Sequence, residues 1–223
     1  MICFKKKGED IYLVTNYKVM FSTMSRQESL EVIPKTRRMI SILLKHKLGL
    51  QKSTFYLLVR NPYNRVESFF RDKFRQAIAV NKEEGSWQLC QKMFFPLMEI
   101  QESMSAETIG DKFLSTSFAE FVSMLPEVHM KDGHLFPQHW AHRVNARTNV
   151  LPVSFPFTAV FRMESKTDME KLATIFGVDI KVRANSTKAV KADIHWGEQE
   201  IRTVDQVYAK DFVSFGYDKK LKP

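Results

Sequence analysis

One stretch limits what this chain can fold into. From Thr54 to Phe74 an apolar run passes at once into a helix-forming one. Thr54–Val59 reads as a short apolar strand. Pro62 then stands where the first turn of a helix tolerates it, because that position has no intrahelical N–H bond to lose. Beyond it, Val66, Phe69, Phe70 and Phe74 recur three and four apart, which gives the helix one apolar face. Arg60 is left at the strand end and Ser68 about two turns into the helix. A guanidinium fork and a hydroxyl at such a junction suit an anion. An ordinary strand–helix junction with surface arginines fits the same residues, so physics alone leaves both readings open.

The chain has 223 residues, which suits one domain with a real core. Hydrophobic content of 44% and aromatic content of 12% are those of a globular protein. No run of about 18 apolar residues appears, so no transmembrane helix is expected. Lys5 to Lys7 are followed by Gly8-Glu9-Asp10 and not by an apolar signal core. A soluble, cytoplasmic protein is therefore expected. The formal net charge of +9 favours an anionic partner, whether nucleotide, nucleic acid, acidic glycan or membrane surface. Cys3 and Cys90 stand far apart and make no disulfide framework, which points to a reducing compartment.

Asp10–Asn16 reads as the first buried strand and 17–21 as a loop. Ser22 or Thr23 is the expected N-cap of a helix running through Leu30 to Ile33, ended by Pro34. In such a strand–loop–helix unit the loop donors and the helix N-terminus would face an anion. Without a GxxxxGK[ST] loop it is not an ordinary triphosphatase site. Thr36–Leu48 is a helix, capped by Gly49 and carrying His46 on its surface. Gly85-Ser86 marks a break, and Trp87–Gln101 reads as a Met-rich helix. Ser117 caps a further helix to Leu125, with Glu120 completing a capping box. Phe157–Arg162 is a strand, Ser165–Phe176 a helix closed by Gly177, and Ile201–Phe215 an amphipathic helix.

Several of these segments resemble one family. Arg60-Asn-Pro-Tyr-Asn-Arg-Val-Glu-Ser68-Phe-Phe-Arg-Asp-Lys-Phe74 is similar to the 3′-phosphate motif of sulfotransferases that use 3′-phosphoadenosine 5′-phosphosulfate (PAPS), above all the Golgi-type carbohydrate enzymes and their bacterial relatives. The resemblance implies that Arg60 and Ser68 hold the 3′-phosphate. Lys18, Ser22 and Thr23 resemble the family's 5′-phosphosulfate loop, with Lys18 at the bridging oxygen and sulfuryl group and Ser22 and Thr23 on the 5′-phosphate. Tyr17 stands where the family usually has proline, and Phe21 where a cysteine is common. His134-Leu-Phe-Pro-Gln138 resembles the family's His-x-x-Pro-Gln segment, and residues 182–188 its late polar loop, from which Arg183, Ser186 and Lys188 become nucleotide contacts. The likeness runs from about Ile11 to Tyr217.

It implies an α/β fold of three layers, P-loop-like, with a small, mostly parallel central sheet flanked by helices and both phosphate motifs at strand carboxyl ends. It implies metal-independent, in-line sulfuryl transfer from PAPS to a hydroxyl of a carbohydrate or similar acceptor, leaving adenosine 3′,5′-bisphosphate, with Lys18 stabilising the leaving oxygen. His134 is the first choice of general base, ahead of His139 and His46. A turn-capping role fits His134 equally. His129, His134, His139 and His142 match no metal-ligand spacing, so no metal site is expected. On this reading nucleic acid is not a partner, and the luminal catalytic part of a longer membrane-anchored protein is the alternative location. A non-catalytic basic protein binding nucleic acid or an acidic glycan is the competing function.

Overall fold

A computed structural model describes residues 2–33, 36–144, 153–180 and 192–220. Among them the chain runs β1 (Ile2–Lys6), β2 (Ile11–Thr15), α1 (Phe21–Met24), β3 (Leu30–Val32), α2 (Thr36–Lys47), β4 (Thr54–Val59), α3 (Pro62–Arg71), α4 (Ile78–Glu84), α5 (Leu89–Lys92), α6 (Ala106–Ser115), α7 (Phe118–Val128), β5 (Arg143–Val144), β6 (Val153–Ser154), β7 (Phe157–Arg162), α8 (Lys166–Phe176), α9 (Glu198–Val207) and α10 (Ala209–Phe215). The fold class is α/β, as expected. The chain divides into two compact units, residues 1–61 with 138–185, and residues 62–137 with 186–223. No described helix is long and apolar enough to cross a membrane.

The first unit is built on a five-stranded sheet in the order β3-β1-β2-β4-β7. β2, β4 and β7 are parallel, with Thr15 opposite Leu58 and Val59 opposite Arg162. β1 is antiparallel to both β2 and β3. The sheet is therefore mixed, not mostly parallel. The difference comes from β1, whose lysines disguise it in the sequence. Phe4 is fully buried, while Lys5 and Lys6 turn out to Asp10 and Glu9 at 3.1 and 2.7 Å.

The helix expected over 22–33 is also replaced. α1 is a single turn whose N-cap is Met20, so Ser22 and Thr23 lie inside it and cap nothing. Leu30–Val32 forms β3 instead, and the Ile33 N–H donates to the Cys3 carbonyl at 2.8 Å. Pairing with β1 satisfies this backbone, and a strand there buries Leu30 and Ile33.

One sheet face packs Phe4, Leu13, Leu58 and Phe161 against Met169, Leu172 and Phe176 of α8. On the other face Tyr12 stacks on Phe55 at 5.2 Å, and His46 of α2 meets Phe55 edge-on at 5.5 Å. His46 is thus no simple surface residue. Its Nδ1 accepts the Ser53 N–H at 3.2 Å and ties the end of α2 to the approach to β4.

The second unit is helical. α3 starts at Pro62 and passes through a π-helical turn, Asp72–Gln76, before α4. Its apolar face is the expected one, with Val66, Phe69, Phe70 and Phe74 all fully buried. Phe74 centres an aromatic cluster, its ring 4.8 Å from Phe113 and 5.0 Å from both Phe94 and Phe121. The helix expected over Trp87–Gln101 is broken into α5 and a 3-10 turn, Phe95–Met98. Pro96 can donate no backbone bond there, and Glu99 ends the turn in the left-handed region at φ 51°.

Ser117 and Glu120 form the expected capping box at α7. The Glu120 N–H donates to Ser117 Oγ at 3.2 Å, and the Ser117 N–H to Glu120 Oε2 at 2.7 Å. α9 and α10 divide the expected closing helix at Tyr208. The Tyr208 hydroxyl donates to the Leu135 carbonyl at 2.9 Å. Buried Arg65 gives Nη2 to the Leu135 and Phe136 carbonyls at 2.9 and 2.6 Å.

Candidate active site

Parallel pairing brings the carboxyl ends of β2 and β4 level, so the loop after Thr15 lies beside the residue after Val59. The Thr15 hydroxyl draws the loop in, with the Leu58 carbonyl at 3.1 Å and the Val19 carbonyl at 3.3 Å. Lys18 and Met20 both adopt the left-handed region, at φ 66° and 55°. For a residue with a Cβ that conformation costs roughly 1–2 kcal/mol. Something must hold it, and Arg60 is in place to do so. Its Nη1 donates to the Lys18 carbonyl at 3.0 Å. The two motifs read independently from sequence thus meet through one hydrogen bond.

The backbone carrying Arg60 is itself held by side chains. The Arg60 N–H donates to Gln138 Oε1 at 2.8 Å, and Gln138 Nε2 donates back to the Arg60 carbonyl at 2.6 Å. The Asn61 N–H donates to Glu164 Oε1 at 3.0 Å, and the Met163 N–H to the Val59 carbonyl at 2.9 Å. Ser22 is half-buried and Thr23 buried in α1, one and two residues past its start. Arg183, Ser186 and Lys188 lie outside the described residues.

Ser68 and His134 belong to the second unit. Ser68 is buried on α3. Asp132 Oδ1 accepts the His134 N–H at 2.9 Å and lies 2.6 Å from the ring Nδ1. A carboxylate partner places the proton on Nδ1 and leaves Nε2 as the basic nitrogen of the neutral ring. The turn is thus capped by the Asp132 carboxylate and not by the His134 side chain, whose ring the same carboxylate holds. Donor atoms of Cys90, Asp132 and His134 lie within 4.8 Å of one another, so the structure brings a cysteine to a histidine segment that has none nearby in sequence. Lys73 is in electrostatic contact with both Cys90 and Asp132. Burial lowers its pKa more than those two groups raise it.

The model of the sulfotransferase family matches residues 12–218. The chain belongs to that family. Among curated proteins, carbohydrate sulfotransferase 12 of Mus musculus is 25% identical over 187 residues, covering 78% of this chain. The chain spans only 42% of that relative's length. No solved structure gives a significant match. The family match begins at Tyr12, on β2, so β1 lies outside it.

Sequence reasoning proposed Lys18 and Arg60, and the structure adds what holds their backbone. In the sequence Gln138 stands only as the last letter of a motif. A glutamine with no exposed surface must satisfy its carboxamide inside the protein, and Arg60, just past the strand end, supplies both an N–H and a carbonyl.

Proposed function

We propose that this chain transfers a sulfuryl group from PAPS to a hydroxyl, with a carbohydrate as the acceptor class. The observation that carries the reading is the Arg60–Lys18 contact at the carboxyl ends of parallel strands, the edge where open α/β sheets bind ligands. Guanidinium, ammonium and hydroxyl groups suit a nucleotide bearing phosphates at both the 3′ and 5′ positions. The carbohydrate acceptor is carried over from the relative's name and is part of the proposal.

Arg60 and Ser68 hold the 3′-phosphate in this reading, and Lys18, Ser22 and Thr23 the 5′-phosphosulfate. PAPS supplies an activated sulfuryl group. Its S–O bond to the 5′-phosphate breaks as the acceptor oxygen bonds to sulfur. Lys18 meets the negative charge that develops on the leaving phosphate oxygen. His134 Nε2 takes the acceptor proton, with Asp132 fixing the tautomer and stabilising the imidazolium that forms. The P-loop-like part of this reading is proposed for the β2–loop–α1 segment, and the left-handed conformation of Lys18 supports it.

Calorimetric titration with adenosine 3′,5′-bisphosphate tests the reading, with ATP–magnesium and an oligonucleotide as comparisons. Binding of the bisphosphate by the wild type, weakened about tenfold or more in Arg60→Ala, is expected. A folded wild type that ignores the bisphosphate and binds the oligonucleotide would replace the reading with polyanion binding. Transfer from labelled phosphosulfate to a panel of glycans then defines the acceptor.

A further inference from the structure

We infer that Gln138 is a positioning residue for the nucleotide site, setting the peptide of Arg60 and, through its guanidinium, the left-handed loop of Lys18. The inference rests on the PAPS reading above and goes beyond it, because Gln138 itself touches no part of the donor in that account.

The geometry is a two-point clamp. One carboxamide accepts from the Arg60 N–H at 2.8 Å and donates to the Arg60 carbonyl at 2.6 Å. A single hydrogen bond would hold only one of the two peptide planes that meet at the Arg60 Cα. Two opposed bonds fix both the position and the tilt of the backbone from which the arginine side chain departs. Glu164 holds the next N–H, and β7 pairs with the strand up to Val59. The root of Arg60 is thereby locked, and the remaining freedom lies in its side-chain torsions.

The guanidinium then reaches the Lys18 carbonyl at 3.0 Å. A displaced root would move both the donors offered to an anion and the bond that supports Lys18 at φ 66°. Catalytic groups lose effectiveness steeply with small misplacements, so a residue remote from the reacting atoms can act this way. Gln138 has no exposed surface, and its neutral amide accepts and donates at once in this arrangement, which an ionised carboxylate or an aliphatic side chain cannot do.

That requirement gives a test specific to the clamp. In Gln138→Glu the ionised carboxylate accepts from the Arg60 N–H but faces the Arg60 carbonyl without a proton. The protonated acid can do both. Binding of adenosine 3′,5′-bisphosphate is measured for wild type, Gln138→Glu and Gln138→Leu across pH 5.5–8, which is roughly the range over which a buried carboxyl regains its proton. Backbone exchange of the segment around Arg60 is followed in parallel, and thermal unfolding reports folding. The ratio of Gln138→Glu affinity to wild-type affinity is expected to be down about tenfold at the alkaline end and to recover toward one at the acid end. Gln138→Leu is expected to stay weak throughout, with faster exchange at Arg60 in both variants wherever binding is weak.

A folded Gln138→Leu with faster exchange but wild-type affinity would overturn the inference and leave a purely structural role. So would a Gln138→Glu deficit that does not change with pH. Should Gln138→Leu fail to fold, the pH response of Gln138→Glu decides alone. If the wild type binds no bisphosphate, the PAPS reading fails first and the positioning role falls with it. If the wild type binds and the variants bind equally well, only the positioning role is lost.

Discussion

At the residue scale, the proposed function gives Lys18 and Arg60 separable duties that kinetics can resolve. Lys18→Ala is expected to lower kcat by about 10²–10³-fold, the loss that follows removal of one donor aimed at developing charge. Arg60→Lys keeps the charge and loses the fork. Because Nη1 also supports the Lys18 carbonyl, this variant is expected to raise KM for the donor and lower kcat together, where loss of simple anchoring would raise KM alone. Steady-state kinetics with varied donor distinguishes the two. Both candidates stand in a recognisable local pattern in the sequence, and the structure joins them by one hydrogen bond. The clamp was not legible there, since Gln138 acts on a peptide 78 positions earlier and no local pattern encodes such a bond.

Glu120 supplies a pH-dependent prediction at the same scale. Hydrogen bonds from the Ser117 backbone and side chain hold its carboxyl below the ordinary value of 4.5. The unfolded chain then binds this proton more readily than the folded one. The stabilisation is complete above the unfolded value and is lost as pH falls through the lower folded value. Glu120→Gln is expected to flatten that part of the stability profile. Ser117→Ala is expected to cost about 1 kcal/mol at neutral pH. Denaturant unfolding between acid and neutral pH measures both.

At the element scale, the sequence was clearest where a cap and a period agreed. α7 and α8 begin at serines whose side chains accept the expected backbone bonds, and α8 ends at Gly177 with φ 62°. Gly177→Ala is expected to cost roughly 1 kcal/mol by urea titration, because a Cβ strains that left-handed position. Reading failed where one apolar pattern served two structures. Leu30 and Ile33, three apart, fit a helix face, yet they are buried at a short strand whose partner was itself hidden among lysines. Missing β1 removed the reason to expect β3, and one oversight became two. Trp87–Gln101 failed differently, since Pro96 and Glu99 break a Met-rich run that composition alone favours as helical.

At the scale of the whole molecule, each unit has its own apolar cluster, and the two clusters share no residue. Phe74→Ala empties the centre of one and Phe176→Ala the seam between α8 and the sheet in the other. Each is expected to cost about 3–5 kcal/mol, a large fraction of a domain's usual 5–15 kcal/mol. Either variant is therefore expected to lower the unfolding midpoint sharply in guanidinium. The mixed character of the sheet does not touch the site, because its three parallel strands are the ones whose ends carry Lys18, Arg60 and Glu164.

The clamp on Arg60 has a bearing on shortened genes. A reading frame cut anywhere between residues 75 and 137 would still spell out in full both segments proposed to bind the donor. It would lack Gln138, Glu164 and β7, and with them the fixtures that give the arginine its bearing. Motif presence in a fragment is thus a poor guide to a working enzyme. The informative letter for sorting such fragments is a glutamine that lies far downstream of either motif.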